Sequence, residues 1–231
     1  MRVLVTGANR GLGLEFCRQY LSRGAEVLAA CRKPASAAAL CELLALHPGR
    51  LRVLPLELTD ERSIVELARE LDRNGDALDR LINNAGVLVS GERFGAVSAE
   101  ALVQSFRVNA AGPFLLAQAL AGALARGVRP RAVSISSSLG SIAATQRFGT
   151  PSYAISKAAL NMATRQLALA LEPRGVLCFA LSPGWVRTDM GGPEAELGVD
   201  ESVGAMIDFL ERAGPEAAGG FFDRHGSPLA W

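Results

Sequence analysis

Tyr153 and Lys157, whose side chains can take part in acid–base chemistry, lie four positions apart in the sequence. This spacing places both on one face of the helix that the surrounding sequence predicts. A phenol with a pKa of ~10 is a poor proton donor at neutral pH. An ammonium group at ~4 Å would stabilise the phenolate by about 4 kcal/mol at an effective dielectric constant of ~20, or roughly three pKa units. The pair therefore predicts a tyrosine that acts as a general acid, with a chance match as the alternative.

Lysine is rare in this chain, which gives position 157 additional weight. Of the 24 basic residues only Lys33 and Lys157 are lysine, and the only tyrosines are Tyr20 and Tyr153. Arginine keeps its charge and carries it on a broad planar group, so it does not replace a compact ammonium. The lysine at 157 therefore indicates chemistry, although one such choice could be accidental.

The segment Thr6–Gly13 contains three glycines with the spacing G-x-x-x-G-x-G. Gly7 allows a tight turn, Gly11 allows close approach of a ligand, and Gly13 allows a helix to pack closely on a strand. A helix that begins here presents unpaired N–H groups and the positive end of its dipole, which favour a pyrophosphate. The segment predicts a dinucleotide site, with a purely structural turn as the alternative.

The end of the second predicted strand indicates which dinucleotide would bind. An NAD site needs a carboxylate ~20 residues after the glycines to bind the ribose 2′-hydroxyl. The chain has Arg32, Lys33 and Pro34 there, with no acidic residue. Together with Arg10, these cations could pair with a 2′-phosphate through charge-assisted hydrogen bonds. We therefore predict NADP(H) rather than NAD(H); the alternative is that two of the three cations are merely surface residues.

Short apolar runs that alternate with longer amphipathic segments predict the scaffold. Strands are predicted at Arg2–Thr6, Glu26–Cys31, Arg52–Glu57, Arg80–Asn83, Ala132–Ser136 and Leu177–Ser182, with an edge strand at Gly220–Asp223. Helices are predicted at Leu12–Ser22, Glu61–Asn74, Ala99–Arg126, Tyr153–Glu172 and Asp200–Ala213. This βαβα order predicts an α/β fold with a doubly wound, mostly parallel sheet of about seven strands and helices on both faces. Ligands of such sheets bind at the carboxyl edge, which the loops Gly140–Ser152 and Asp189–Val199 would cover.

The sequence resembles the short-chain dehydrogenase/reductase family over nearly its whole length. The segments that carry the resemblance are Thr6–Gly13, Asn83–Gly86, Asn109, Ile135–Ser137, Tyr153 with Lys157, and Pro183–Thr188. Each is weak alone, but the ordered set is very specific. A finer resemblance, to the branch of C-factor and sniffer-type carbonyl reductases, rests on Leu139–Ile142, Pro183–Gly192 and Phe221–Asp223. The family implies one NAD(P)-binding Rossmann-fold domain over residues 1–231.

The resemblance implies a catalytic tetrad. Tyr153 would donate the proton, and Lys157 would bind the nicotinamide ribose and lower the pKa of the tyrosine. Ser137 would hydrogen-bond the substrate carbonyl, and Asn109 would hold a water molecule that extends the proton relay. Ser137 and Tyr153 are 16 residues apart, slightly more than is usual in the family, so the loop between them would be longer.

Two members of the tetrad have alternatives. Ser136 or Ser138 could take the place of Ser137 in this serine-rich turn. Pro113 has no N–H to give to the carbonyl of Asn109, four residues earlier, and this would free the carbonyl for a water molecule near Lys157. The alternative is a proline kink that serves only packing.

The resemblance also implies how the cofactor is held. Asn84–Gly86 would line the adenosine ribose and the nicotinamide side, and Val186 with Thr188 would meet the carboxamide. At the position of Glu57 the family often has Asp, followed by a small apolar residue, and this pair holds adenine. The chain has Glu57 and Leu58 there, and the backbone amide of Leu58 could make the adenine contact. The whole predicted set is Gly7, Asn9, Arg10, Gly11, Leu12, Gly13, Arg32, Lys33, Glu57, Leu58, Asn84, Ala85, Gly86, Tyr153, Lys157, Pro183, Gly184, Val186 and Thr188.

These residues predict an NADPH-dependent carbonyl reductase, in which Tyr153 protonates the carbonyl oxygen and Ser137 stabilises its developing negative charge. Val87, Leu88, Trp185 and the two loops would line an apolar pocket, which favours an apolar or aromatic carbonyl compound. One alternative is a dehydratase or epimerase with the same tetrad. Another is a nucleotide-binding signalling protein with incidental catalysis, but a pure sensor needs no proton donor.

Composition excludes several other classes. The chain has 231 residues, 49% of them hydrophobic, and a formal charge of +1, which argues for one domain and against a nucleic-acid or membrane-surface protein. No apolar run approaches the ~18 residues of a membrane span. The first residues reach a turn too soon for a secretory signal, so we expect a cytoplasmic protein.

The remaining side chains with binding chemistry predict neither disulfides nor a metal site. Cys17, Cys31, Cys41 and Cys178 lie in apolar stretches without a C-x-x-C pair and are predicted to be buried free thiols. The histidines, His47 and His225, have no second ligand at helical spacing. The family resemblance further implies a homodimer or homotetramer that pairs through the helices Ala99–Arg126 and Tyr153–Glu172, although some such reductases are monomers.

Overall fold

Seven parallel strands form a single sheet in the order β3-β2-β1-β4-β5-β6-β7 in the computed structural model, which describes residues 1–231. The strands are β1 (Arg2–Thr6), β2 (Glu26–Cys31), β3 (Leu51–Pro55), β4 (Arg80–Asn83), β5 (Arg131–Ile135), β6 (Leu177–Ser182) and β7 (Phe221–Asp223). The strand order reverses direction between β1 and β4, which opens a crevice at the carboxyl edge. The predicted doubly wound sheet and its edge strand are confirmed.

Helices cover both faces of the sheet. They are α1 (Gly11–Ser22), α2 (Ala38–Leu46), α3 (Glu61–Arg73), α4 (Ala99–Phe106), α5 (Gly112–Ala119), α6 (Ala121–Ala125), α7 (Pro151–Leu171) and α8 (Val199–Arg212). The α2 helix was not predicted, because its sequence is apolar on nearly every side and shows no amphipathic period. No helix has the length and apolar character needed to cross a membrane.

Alternate residues of each strand point into one of two apolar cores. Val3 and Val5 of β1 pack into a core with α1, α2 and α8, where Phe16 is fully buried. Leu4, between them, packs into the opposite core with α3 and α5, where Leu67 is buried. The continuous apolar runs that predicted the strands thus reflect burial on both sides.

The predicted helix Ala99–Arg126 is wrong as one continuous α-helix. A π-helical turn at Arg107–Ala111 separates α4 from α5, and the N–H of Gly112 donates to the carbonyl of Arg107. Pro113 supplies no N–H to the preceding turn. A Cβ atom on Gly112 would lie 2.8 Å from Leu58, so the helix passes close to the loop after β3. Wide turns of this kind often mark functional sites.

Cys41 corrects a second expectation. Cys17, Cys31 and Cys178 are buried, as predicted, but Cys41 is exposed on α2. An apolar neighbourhood in the sequence does not ensure burial here, because α2 buries only Leu40 and Leu43 against the sheet.

Thr6 at the end of β1 connects the glycine turn to the segment after β4 by hydrogen bonds. Its hydroxyl oxygen accepts hydrogen bonds from the backbone N–H groups of Asn84 and Ala85, both at 3.0 Å. The Asn84 side chain donates to the carbonyl of Thr6 at 2.8 Å. The segment after β4 is therefore fixed beside the glycine turn after β1.

A charged cluster lies at the opposite edge of the sheet. Arg80 at the start of β4 and Arg131 at the start of β5 are almost fully buried, with side-chain exposures of 3% and 5%. Arg80 donates to both carboxylate oxygens of Glu211, at 2.6 and 3.0 Å. The Tyr20 hydroxyl also donates to Glu211, at 3.3 Å. One carboxylate thus compensates two buried guanidinium groups.

Replacing Glu211 with Gln is expected to lower the free energy of unfolding by about 2 kcal/mol, because Arg80 and Arg131 would lose their compensating charge. Burial alone would raise the pKa of Glu211, but the hydrogen bonds and charge of Arg80 outweigh burial and hold it below its ordinary value. The stabilisation is therefore complete above the unfolded pKa of ~4.3 and is lost as the pH falls through the lower folded pKa. Urea unfolding at pH 7 and pH 3 measures this.

Asp208→Asn is the matched control, because Asp208 lies on the same helix and pairs with Arg23 while its side chain is 65% exposed. We expect a change of about 0–1 kcal/mol for this exposed pair. Equal losses for the two variants at pH 7 would contradict the role given to Glu211.

Candidate active site

One cavity of about 1360 Å³ follows the carboxyl edge of the sheet. It extends from the glycine turn after β1, past the end of β2 and the segment after β4, to the first turns of α7. The volume is large enough for a dinucleotide together with a small substrate. All predicted cofactor residues except Gly13 line it.

The glycine turn presents backbone donors to this cavity. Gly7 and Gly11 have positive φ angles of +63° and +53°, which favour glycine. The α1 helix begins at Gly11 without a side-chain cap and without an acidic residue in its first turn. A Cβ atom on Gly13 would lie 2.3 Å from the carbonyl oxygen of Gly7, so Gly13 serves close packing behind the turn. An uncapped helix start beside open space fits a phosphate group.

Two of the three predicted phosphate-binding cations are unpaired. Arg32 and Lys33 are exposed at the rim of the cavity, and neither forms an ion pair within the chain. Arg10 instead pairs with Asp189, with 2.5 Å between Nη1 and Oδ2. This contact joins the glycine turn to the loop after β6 across the cavity mouth. The residues present therefore fit a dinucleotide with an additional phosphate on the side of Arg32.

Tyr153 and Lys157 of α7 both line the cavity. The Lys157 Nζ atom lies 5.5 Å from the centroid of the tyrosine ring and donates to the carbonyl of Ile135 at 2.7 Å. Burial lowers the pKa of Lys157 to about 8. The ammonium therefore sits beside the phenol ring and begins to lose its charge just above neutral pH.

The expectation of a lowered tyrosine pKa is wrong for this structure. Burial raises the pKa of Tyr153 to about 12, and the hydrogen bond with Ser137 only partly opposes this. Desolvation dominates because the phenol is 8% exposed. The phenol is consequently protonated at neutral pH, the form that a proton donor needs.

The three consecutive serines after β5 have different surroundings. Ser137 lines the cavity, and its hydroxyl acts to lower the pKa of Tyr153 against the effect of burial. Ser136 also borders the cavity, but it is buried and its hydroxyl donates to the side-chain oxygen of Asn161 at 2.6 Å. Ser138 does not line the cavity, and its N–H donates to Ser182. Of the three hydroxyls, only that of Ser137 affects the pKa of Tyr153.

Asn109 lies in the π-helical turn, fully buried and outside the cavity lining. Its side chain accepts from the N–H of Val87 at 2.8 Å and donates to the carbonyl of Val87 and to the hydroxyl of Ser156, both at 2.9 Å. A Cβ atom on Gly86 would lie 3.3 Å from Asn109 Oδ1 and 3.7 Å from Lys157 Nζ. Asn109 thus ties the segment after β4 to α7 close to Lys157.

Glu57 uses its carboxylate within its own loop. The Oε1 atom accepts from the N–H of Thr59 at 2.9 Å and from its hydroxyl at 2.7 Å. Several residues that line this end of the cavity were not predicted, namely Leu56, Thr59, Val103, Gln104, Arg107 and Val108. Four of them come from α4 and the π-helical turn, which amphipathic patterning alone does not connect to this loop.

The substrate end of the cavity is apolar. Val87, Leu88 and Trp185 line it as predicted, together with Leu139 and Met190. The Trp185 indole N–H donates to the carbonyl of Gly191 at 2.8 Å, which closes the predicted lid into a compact turn. From the predicted lid Asp189–Val199, only the first three residues reach the cavity.

The predicted lining by the loop Gly140–Ser152 is wrong, since no residue of this range borders the cavity. Contacts elsewhere hold the loop outwards. The N–H of Ala143 donates to the carbonyl of Trp231 at 2.8 Å, and Ser152 at the other end bonds to Glu92. The Trp231 ring in turn stacks on Phe221 of β7. Trp231 and Glu92, the two residues that contact this loop, are both distant from it in the sequence.

Comparisons with known proteins find similar sequences and structures. A sequence model of the family described as short chain dehydrogenase matches residues 1–196. The C-signal protein of Myxococcus xanthus is 40% identical over 154 residues, which cover 67% of this chain and 93% of the relative. The carbonyl reductase Sniffer of D. melanogaster superimposes with a TM-score of 0.95 at 32% identity, over 100% of this chain and 99% of that chain. An NADPH-bound carbonyl reductase from chicken fatty liver gives a TM-score of 0.94 at 37% identity over the whole of both chains.

Proposed function

The chain belongs to the short-chain dehydrogenase family, and on that premise we propose that it is an NADPH-dependent reductase that converts an aldehyde or ketone into an alcohol. The observation that carries the proposal is the shared cavity. It places the phenol of Tyr153, the ammonium of Lys157 and the hydroxyl of Ser137 along the same edge as the uncapped glycine turn. The likeness to carbonyl reductases, one of them bound to NADPH, supports the same assignment.

The cofactor would be held along this edge by backbone and side-chain donors. The N–H groups of Asn9–Leu12 would bind the pyrophosphate, and Arg32 with Lys33 would bind the 2′-phosphate. The Leu58 amide and the segment Asn84–Gly86 would bind the adenosine half. Pro183–Thr188 would border the nicotinamide. When bound, NADPH supplies the hydride for the carbonyl carbon.

The protein's own groups would handle the proton and the charge. Tyr153 donates its hydroxyl proton to the carbonyl oxygen, while Ser137 donates a hydrogen bond to the same oxygen. The charge of Lys157 stabilises the phenolate that remains. Asn109 would hold a water molecule that is part of the proton relay, and this relay returns a proton to the phenol. Substitution of Asn109 would also loosen Val87, because the side-chain amide of Asn109 forms hydrogen bonds with the backbone N–H and carbonyl of Val87.

The rate of carbonyl reduction is expected to fall as the pH rises above about 8. Burial lowers the pKa of Lys157 to about 8, so the charge that stabilises the phenolate is lost there. The pKa of Tyr153 is raised to about 12, so the phenol itself stays protonated across this range. The measurement is kcat against pH from 6 to 10 at saturating NADPH.

Lys157→Arg separates charge from shape in this experiment. Arginine keeps its charge through pH 10, so the variant should be slower but independent of pH above 8. A constant kcat of the wild-type protein up to pH 10 would remove the charge of Lys157 from the mechanism.

The direct test of the proposed function is NADPH oxidation over a panel of aldehydes and ketones, with the alcohol product quantified. The apolar lining by Leu88, Leu139 and Trp185 favours apolar or aromatic carbonyl compounds. An epimerase or dehydratase would consume no NADPH. A signalling protein would bind the nucleotide without turnover. This alternative is tested because the chain is similar to C-signal.

The proposed assembly is a homodimer or homotetramer. Exposed apolar side chains lie on the two helices that the family would use for pairing, with Val103 and Phe106 on α4 and Ile155, Met162 and Leu169 on α7. Pairing would cover these side chains. A cytoplasmic location remains a prediction from the sequence.

A further inference from the structure

The helix that carries Tyr153 has an unusual start. Thr150, which precedes α7, adopts a left-handed conformation with φ +40° and provides no side-chain cap. Pro151 at the first helical position has no N–H. The next residue, Ser152, is fully buried. Its N–H and its hydroxyl therefore need a partner from elsewhere in the chain.

Glu92 is that partner, although it lies 60 residues earlier in the sequence. One oxygen, Oε2, accepts from the Ser152 hydroxyl at 2.8 Å and from the Ser152 N–H at 3.2 Å. The other oxygen, Oε1, is buried and has no hydrogen-bond partner. A buried carboxylate oxygen without a partner is unfavourable in itself. The half-buried Glu92 side chain therefore makes its hydrogen bonds through Oε2 alone, both of them with Ser152.

Glu92 also connects α7 to the cavity wall. It lies four residues after Leu88, which lines the substrate end. Phe94, on the same loop, meets Phe148 edge-on with 5.8 Å between ring centroids. The loop after β4 is therefore joined at two points, to the loop before α7 through Phe148 and to the first turn of α7 through Ser152. One of those points is the residue directly before Tyr153.

We propose that Glu92 is a positioning residue for Tyr153. By accepting both donors of Ser152, it fixes the first turn of α7 and hence the direction of the phenol towards Ser137. This inference rests on the proposed carbonyl reduction. Displacement of a reacting group by ~1 Å can cost a factor of ~10² in rate, so the loss of this cap should appear in kcat.

The test compares Glu92→Ala with Glu92→Gln. Alanine removes the acceptor, and we expect kcat with a carbonyl substrate from the NADPH panel to fall about 10- to 100-fold. The Kd of NADPH should stay within about twofold, because Glu92 does not line the cavity and forms hydrogen bonds only with Ser152. Glutamine retains an acceptor oxygen and should restore kcat to within about threefold of wild type. Equal losses for alanine and glutamine, or no loss for alanine, would overturn the inference.

Asp60→Ala is the matched control for the loss of a helix cap. Asp60 caps α3 by accepting from the N–H of Arg62 at 3.0 Å. It should lower stability by a similar amount and leave kcat unchanged. If both variants lowered kcat in proportion to their melting temperatures, Glu92 would have only a structural role.

Amide hydrogen exchange provides a measurement that does not depend on turnover. Glu92→Ala should speed exchange in the peptide that contains Ser152 and Tyr153, and Glu92→Gln should restore protection. If the wild-type protein reduces no carbonyl, the proposed function fails while exchange still decides the contact. Unchanged exchange in Glu92→Ala overturns the inference in either case. Ser152→Ala, which removes one of the two donors, gives the same information if Glu92→Ala does not fold.

Discussion

Tyr153→Phe is expected to lower kcat for NADPH-dependent carbonyl reduction by about 10²- to 10⁴-fold, the usual contribution of a general acid. Phenylalanine keeps the ring that packs beside the Lys157 ammonium, 5.5 Å from its centroid, and removes only the hydroxyl. The Kd of NADPH should therefore change little. Initial rates from NADPH absorbance and binding titrations from NADPH fluorescence give the two quantities separately.

The second tyrosine of the chain offers an exact chemical control. Tyr20 is fully buried, and its hydroxyl donates to Glu211 at the far edge of the sheet. Tyr20→Phe should reduce stability and leave kcat unchanged. A Tyr153→Phe protein that retains kcat within about twofold of wild type would remove the phenol from the proposed mechanism.

Arg32→Asp is expected to lower the ratio of kcat/KM for NADPH over NADH by about 10²-fold or more. The variant loses charge-assisted hydrogen bonds to the 2′-phosphate, worth about 1.5–3 kcal/mol each, and adds a repulsive carboxylate. The new acid could instead accept from a ribose 2′-hydroxyl, which favours NADH. The measurement is the pair of kcat/KM values in one buffer, because salt screens this interaction.

Arg69→Asp controls for the change in net charge. Arg69 is exposed on α3 and does not border the cavity. It should leave the cofactor ratio unaltered. If Arg32→Asp also leaves the ratio unaltered, the 2′-phosphate lies elsewhere and Arg32 is a surface residue.

The sheet could be predicted because each strand is a short apolar run buried on both faces. The glycine turn, Tyr153 and Lys157 could be placed because they lie at strand or helix ends whose order fixes a common edge. The interruption of the predicted helix at Arg107–Ala111 was missed, although Pro113 follows it closely and supplies no N–H to the preceding turn. The α2 helix was missed for the opposite reason, since it has almost no polar face.

Features that depend on distant contacts could not be predicted. The acceptor for Ser152 is 60 residues away, and no local pattern marks Glu92 as a cap. The outward position of the loop before α7 depends on Trp231, near β7. The pKa of Tyr153 depends on how completely the helix start is desolvated, which spacing alone does not give.

The ion pair between Arg10 and Asp189 has a kinetic consequence. Its side chains are 65% and 76% exposed, so water and salt screen their attraction, which is worth about 0–1 kcal/mol. A bond of that strength breaks and re-forms on a timescale far shorter than a catalytic cycle. The contact between the glycine turn and the loop after β6 is therefore expected to weaken as the ionic strength of the solution rises.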